Sequence, residues 1–463
     1  MKKIILLLLF FCSSLLSFSQ GFDIGHTTIT FNDASRTGGF GSGGGAGRQI
    51  QSEIYYPAST AGDDVAIASG EFPVIVFGHG FVMAWDAYQN IWEEFVPEGY
   101  VLVFPRTEGG FTPSHDEFAL DLSLLVDEMQ LENDEMSSIF YGALTDKSAI
   151  IGHSMGGGAA MLAAENNTNI ETVIGLAPAE TTPSAISAAP QISVPALIFS
   201  GSSDGVTPAV DHHQPIYDGL GSSCKYFLSI TGGAHCYFAN SNFNCDFGEG
   251  TSSTGITVTR EEQHATTFLH LKTWLDYRLK NICGSLTEFQ SDLIASTDVV
   301  NQTSCTETEP TINSNISATS TTLTADQSGI SYQWVDCNDN NSPISGATSQ
   351  TFTPSVTGSY AVMLDNGNCN VISNCESITL TSSLSENNFH FEIYPNPTTN
   401  NFTIRSKDSG SFEIIDLNGK KVFQAVFEKG NNTVITDLNG GIYVISVKPK
   451  TGEQYFKKLI INQ

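Results

Sequence analysis

Six short apolar runs between residues 73 and 230, each followed by a polar or helix-patterned stretch, restrict this chain to very few folds. They read PVIVFGHG (73–80), YVLVFP (100–105), SAIIGH (148–153), TVIGLAP (172–178), PALIFSG (195–201) and KYFLSI (225–230). Continuous apolar runs of this length suit strands buried on both faces of a parallel sheet, where no solvent side imposes alternation. Between them lie helical patterns. SHDEFALDLSLLVDEM opens with a capping box, Ser114 and Glu117, and sets Phe118, Leu122, Leu125 and Met129 on one face. ATTFLHLKTWLDYRL (265–279) closes the region as an amphipathic helix. Alternating strand and helix predict an α/β domain over 21–283: a mostly parallel sheet flanked by helices.

The third run ends in Gly-His-Ser-Met-Gly, with small residues after it. Ser154 then lies between a strand and a helix beginning near Met155, as a nucleophile elbow requires. Such a turn forces the serine to positive φ, and Gly152 and Gly156 remove side chains that would collide across it. A serine hydroxyl needs a base to take its proton, and the base needs a carboxylate to orient it. An elbow of this kind takes its acid and base from loops after later strands, in the order serine, acid, histidine. Asp204 in PALIFSGSSDGVTP and His235 in FLSITGGAHCYF meet that order. Other histidines fit less well. His153 adjoins the serine, His79 comes too early and is expected to shape the oxyanion loop, His115, His264 and His270 fall on helices, and His212 and His213 read as solvated surface. The oxyanion donors are expected from the backbone N–H groups of Met155 and of Phe81, in the loop after the first run. Trp85, Tyr88, Tyr237 and Phe238 are candidates for an aromatic wall that binds substrate. GGFGSGGGAGR (38–48) lacks the Lys-Ser/Thr of a phosphate loop and reads as a plain loop.

Composition bears on compartment and partners. Lys+Arg number 20 against Asp+Glu 49, which disfavours nucleic acid and anionic membrane surfaces. Residues 1–20, with Lys2 and Lys3 before an apolar core too short to span a membrane, read as a secretory signal peptide. No later stretch reaches the roughly 20 apolar residues of a membrane span. Of the 9 cysteines, Cys12 lies in the signal. The rest fall into two sets of four, Cys224, Cys236, Cys245 and Cys283, then Cys305, Cys337, Cys369 and Cys375. Export favours disulfides, with three pairings open in each set. A metal site is not expected, because no C-x-x-C pair or His-rich cluster accompanies them.

Past Cys283 the texture changes. Residues 284–304 are polar and read as a linker. Residues 305–382 carry short alternating stretches around Trp334, and a second polar joint, SSLSENN, precedes residues 390–463 with their alternation and Asn-Gly turns. Two small all-β, sandwich-like domains are expected.

At EIYYP, FGHGF, GHSMGG, SSDGVTP and GGAHCYFANS, residues 24–280 resemble the α/β-hydrolase superfamily. Within it they are similar to the cutinase-like, polyester-hydrolase branch related to dienelactone hydrolases. The resemblance implies ester hydrolysis through an acyl-enzyme, without a cofactor, with Phe81 and Met155 at the oxyanion site. Two departures concern the substrate. Ala179 stands where that branch places a tryptophan, and the segment after His235 is longer. Through FEIYPNPTTNNFTI, DLNGKKV and GIYVISV, residues 390–463 resemble the type IX secretion C-terminal sorting domain, which implies passage across the outer membrane by that machinery. Residues 305–382 resemble Ig-like domains.

The resulting expectation is a secreted or surface-attached, monomeric serine ester hydrolase for short, medium-chain or polymeric esters. Only residues 179–193 separate GLAP from VPALIF, too few for a large cap over the cleft. A lipase for long-chain acylglycerols and a non-catalytic surface adhesion or glycan-binding protein are the rival readings.

Overall fold

A computed structural model of the chain describes residues 21–167, 169–380, 391–399, 401–450 and 454–462. The expected signal peptide and the SSLSENN joint lie outside them. The described residues form two compact units, divided between residues 380 and 381.

All six apolar runs are strands of one central sheet. Its long strands are β1 (Asp23–Asp33), β2 (Arg48–Ala58), β3 (Phe72–Gly78), β4 (Val101–Pro105), β5 (Leu144–His153), β6 (Thr172–Leu176), β7 (Ala196–Gly201), β8 (Lys225–Ile230) and β9 (Val299–Thr303). They run in the order β9-β8-β7-β6-β5-β3-β4-β2-β1, and two-residue strands at Gly39–Phe40 and Gly62–Asp63 complete the sheet. From β4 across to β8 every pairing is parallel. β1, β2 and β9 add antiparallel edges.

Side chains alternate between two cores, as a period of two requires. Val74, Val76, Val103, Ile150, Val173 and Ile198 face one, with the helices α2 (His115–Asp134), α3 (Met155–Asn166) and α4 (His213–Gly219). Ile75, Phe77, Leu102, Phe104, Ile151 and Phe199 face the other, with α1 (Gln89–Phe95), α6 (Arg260–Lys280) and α7 (Ser285–Ala295). A further helix, α5 (Phe243–Ser252), forms in the segment after His235. Phe118, Leu122, Leu125 and Met129 are fully buried, as the periodicity of α2 predicts. Only half of its capping box forms. Ser114 accepts from the Glu117 N–H at 3.3 Å, but the Glu117 carboxylate turns to Arg36 Nη1 at 2.9 Å. α6 carries the complete box, from Thr259 and Glu262.

The expected linker 284–304 is instead folded. α7 buries Leu286, Phe289 and Leu293, and β9 pairs with β8 at the sheet edge. This return path also corrects the two-set cysteine expectation. It carries Cys305 back to Cys224, and those two are bonded. Cys283 joins Cys369 across the two sets in the same way, whereas Cys236–Cys245 and Cys337–Cys375 stay within theirs. Around Cys283, Asn370 donates its backbone N–H to Asn281 O and its side chain to Lys280 O.

Beyond Cys305, still in the first unit, a three-stranded and a five-stranded antiparallel sheet bury Trp334 with Leu323, Tyr360, Val362 and Leu364. The second unit pairs a three-stranded sheet with a four-stranded one around Phe402, Phe412, Ile414, Ile445 and Leu459.

Candidate active site

The parallel strands end in register: Gly78 lies opposite Gly152, and Gly152 opposite Gly175. Their carboxyl ends therefore form one edge from which loops rise together. Ser154 sits there, between β5 and α3, at φ 56° and ψ −120°. The conformation is strained for a residue with a Cβ, and it is held by its surroundings. A Cβ on Gly152 would lie 2.1 Å from Gly156 O, and one on Gly156 would lie 2.2 Å from Gly78 O. No other residue fits either position.

Asp204 follows β7 and His235 follows β8. His235 Nδ1–H donates to Asp204 Oδ2 at 2.8 Å, while Asp204 Oδ1 accepts from the N–H groups of Val206 (2.9 Å) and Thr207 (2.8 Å). Burial pushes the Asp204 carboxyl up. The hydrogen bond and charge of His235 outweigh that, together with His213 and the Thr207 N–H, and hold it below the usual carboxylate range. Ser154 and His235 share a cleft of about 240 Å³ with Phe81, Val82, Met83, Phe111 and Val206. Met155 is the first residue of α3, so its N–H is one of the helix's N-terminal donors without an intrahelical acceptor. Phe81, half exposed, stands on the same cleft.

The aromatic wall is where the sequence reading fails. Tyr88 and Phe238 are fully buried and touch no cleft. The Tyr88 hydroxyl accepts from Gly80 N–H at 2.8 Å and donates to His153 Nδ1 at 2.9 Å, so the ring is held inward. Phe238 packs on His153 and Phe199. Tyr237 lies beneath the Arg260 guanidinium, 4.5 Å from its ring centre. Trp85 packs at a tilt against Trp92 and lines a separate cavity of about 540 Å³ with Phe40, His79 and Arg106, which shares Val82 and Met83 with the Ser154 cleft. The cleft's aromatic groups are Phe81 and Phe111, the latter 81% exposed.

The long segment after His235 supplies α5, pinned by Cys236–Cys245 and by Asp246 with Arg260 at 2.6 Å. Asn244, Cys245 and Gly248 line the cleft, and Phe243 and Phe247 stack on the adjoining exposed face. Residues 179–193 hold only short helical turns, at Ala185–Ala188 and Ala189–Gln191.

One histidine behaves unlike its sequence reading. His213 is fully buried rather than solvated, and burial drives its pKa down to about 3. His153, also buried and held neutral chiefly by that burial, donates Nε2–H to His235 O at 3.0 Å. His79 lies between two carbonyl oxygens, Gly80 O at 3.0 Å and Thr107 O at 2.8 Å, and, held neutral chiefly by burial, donates its one ring N–H to one of them, in keeping with a part in shaping that loop. Nothing in the sequence singles out Thr207. Spacing could have exposed His213, since His213, Ile216 and Tyr217 fall at i, i+3 and i+4 and form the buried face of α4.

A parallel sheet with a strained serine at the end of a central strand, and an Asp–His pair on later strand ends, is the architecture of an α/β-hydrolase. Residues 16–253 match the PET hydrolase-like family, a stretch that contains Ser154, Asp204 and His235, and the chain belongs to that family. Residues 392–462 match the secretion system C-terminal sorting domain, which indicates a secreted or cell-surface protein. Among the described residues, no helix is long and apolar enough to cross a membrane. Relatives include a bis(hydroxyethyl) terephthalate hydrolase of Streptomyces coelicolor, 27% identical over 183 residues, covering 39% of this chain and 54% of that one. Cutinase 2 of Thermobifida cellulosilytica is 29% identical over 212 residues, 46% of this chain and 72% of the relative. Cutinase cut1 of Thermobifida fusca is 29% identical over 212 residues, 46% and 59%. The chain thus spans little more than half the length of the first and third of these.

Proposed function

We propose that this protein is a secreted carboxylic-ester hydrolase that works through a serine acyl-enzyme on short, medium-chain or polymeric esters. Ser154 attacks the carbonyl, His235 takes its proton and later returns one to the leaving alcohol, and Asp204 orients the imidazole. The N–H groups of Phe81 and Met155 receive the charge that develops on the carbonyl oxygen. Water then cleaves the acyl-enzyme with His235 as base. The observation that carries this reading is the 2.8 Å His235–Asp204 bond in a cleft shared with a serine at positive φ. Named activities of relatives, cutinases and a bis(hydroxyethyl) terephthalate hydrolase, favour esters of this class. Residues 179–193 hold only short turns and build no large cap there, which suits bulky or polymeric substrates. The C-terminal unit would hand the chain to the type IX machinery.

The test is hydrolysis of p-nitrophenyl esters from acetate to palmitate by the full secreted chain, beside Ser154→Ala, followed by product release from polyester film. Serine-dependent turnover strongest on short and medium chains is the expected result. Preference for palmitate would replace the reading with a lipase. Absence of serine-dependent turnover on every ester would overturn it in favour of a binding protein.

A further inference from the structure

Beside Asp204 lies a buried chain of polar side chains to which the proposed mechanism gives no part. Thr207 Oγ1 is 3.0 Å from Asp204 Oδ2, 3.0 Å from His213 Nε2 and 2.8 Å from His235 Nδ1. His213 Nδ1 is in turn 2.9 Å from Ser200 Oγ. Thr207, His213 and Ser200 are all buried, so protons must be shared within the group.

One assignment gives the carboxylate its full set of donors, in preference to a Ser200 hydroxyl turned to Gly201 O at the longer distance of 3.5 Å. Asp204 can only accept, so the single Thr207 hydroxyl proton goes to Oδ2. The Thr207 oxygen is then an acceptor, which requires His213 to carry its proton on Nε2. His213 Nδ1, left bare, accepts from the Ser200 hydroxyl. Every donor points toward Asp204. With His235 Nδ1–H and the two backbone N–H groups, the carboxylate accepts four hydrogen bonds.

We propose that Ser200, His213 and Thr207 form a positioning relay that sets the orientation and basicity of Asp204, and through it the proton affinity of His235. The proposal rests on the Ser154–His235–Asp204 reading and assigns a second layer to it. A carboxylate that accepts one more polarised bond is a weaker base and pulls less on the imidazolium. Its acceptor atom is also held where His235 can donate only along one direction. His213 remains neutral across the working pH range because burial lowers its pKa. The other ionisable groups around the pair include His153, with its ring 4.8 Å from that of His235, His212, 6.5 Å from His213, and the buried Glu249, which accepts from the Cys236 N–H at 2.6 Å.

The test uses the full secreted chain and p-nitrophenyl butyrate, with active sites titrated by a fluorophosphonate so that only folded enzyme is counted. Thr207→Val keeps the shape and loses the hydroxyl. It is expected to lower kcat about tenfold with KM little changed, and to move the acid limb of kcat/KM upward by about half a pH unit. Thr207→Ser restores the hydroxyl and is expected to recover most of kcat and the original limb. His213→Gln, which can still donate to Thr207, is expected to retain more activity than His213→Leu. If His213→Leu does not fold, the Thr207 pair decides alone. Wild-type kcat and acid limb in Thr207→Val, with Ser154→Ala inactive, would overturn the relay and leave the triad standing. Turnover in Ser154→Ala would instead remove the triad itself.

Discussion

Tyr88→Phe deletes one oxygen, and that oxygen holds two buried groups at once. Tyr88 is fully buried, and its hydroxyl links Gly80 N–H to His153 Nδ1 at 2.8 and 2.9 Å. His153 cannot turn away, because its Nε2–H is committed to His235 O at 3.0 Å. Without the hydroxyl, one backbone donor and one ring acceptor are left unpaired where a lost oxygen makes no room for water. Each unsatisfied buried group costs about 1–3 kcal/mol. The Met83 sulfur, 3.3 Å from the hydroxyl, is too weak a partner to offset this. The expected loss is about 2–6 kcal/mol of unfolding free energy, read from urea titration of tryptophan fluorescence with an unchanged slope. Gly80 also immediately precedes Phe81, so its lost anchor displaces the proposed oxyanion donor, and kcat on p-nitrophenyl butyrate is expected to fall about tenfold or more. KM is expected to stay near its original value, since the ring touches no substrate surface. Unchanged stability together with a raised KM would refute the argument and return Tyr88 to the substrate wall.

Three further outcomes rest on particular contacts. His213 is neutral in the fold with a pKa of about 3, while the unfolded chain titrates near 6.5, so the unfolded state binds the extra proton between those values. Stability attributable to His213 is therefore complete above pH 6.5 and declines as pH falls toward 3, by about 1.4 kcal/mol per unit; urea midpoints for wild type and His213→Gln at pH 7 and pH 5 check it, the variant showing the smaller decline. A chain ended at residue 303 loses the partners of Cys224 and Cys283, and is expected to unfold at lower temperature than one ended at 380, with about 2–4 kcal/mol lost per bridge. Phe243 and Phe247 are 83% and 66% exposed on the face of α5 beside the cleft. Replacing both by alanine is expected to reduce product release from polyester film while leaving hydrolysis of soluble butyrate ester near wild type, measured on the two substrates in parallel.

What the sequence made legible is what is written along the chain. The six central strands declare themselves because burial on both faces turns them into unbroken apolar runs. Ser154, Asp204 and His235 could be picked out as candidates because strand ends impose a linear order on such a site, and the structure brings Asp204 and His235 within 2.8 Å. Contacts made between distant elements leave fainter marks. Tyr88 looks like a rim aromatic until its hydroxyl meets His153, 65 residues on. Thr207 and His213 are polar residues among polar residues, and polarity states the need for a partner without naming it. The folded segment 284–304 did leave a sign, since Leu286, Phe289 and Leu293 repeat at helical spacing. Its strand did not, because β9 buries only Val299.

The β region around Trp334 joins the α/β region at the end of the sheet remote from the cleft. Its attachment runs through Cys283–Cys369 and through Asn370, which bonds Asn281 and Lys280 at the carboxyl end of α6. Asn281 in turn accepts from Lys147 Nζ at 3.0 Å, near the start of β5, whereas Ser154 follows the end of that strand. Seven residues of extended chain separate Lys147 from Ser154, roughly 23 Å. A module fixed there can brace the base of the sheet, but its junction with the sheet is far from an ester bound at Ser154. Asn370→Ala is therefore expected to lower the melting temperature, by removing the side-chain bond to Lys280 O, and to leave KM for soluble esters unchanged. A raised KM at unaltered melting temperature would show that this region reaches the substrate after all.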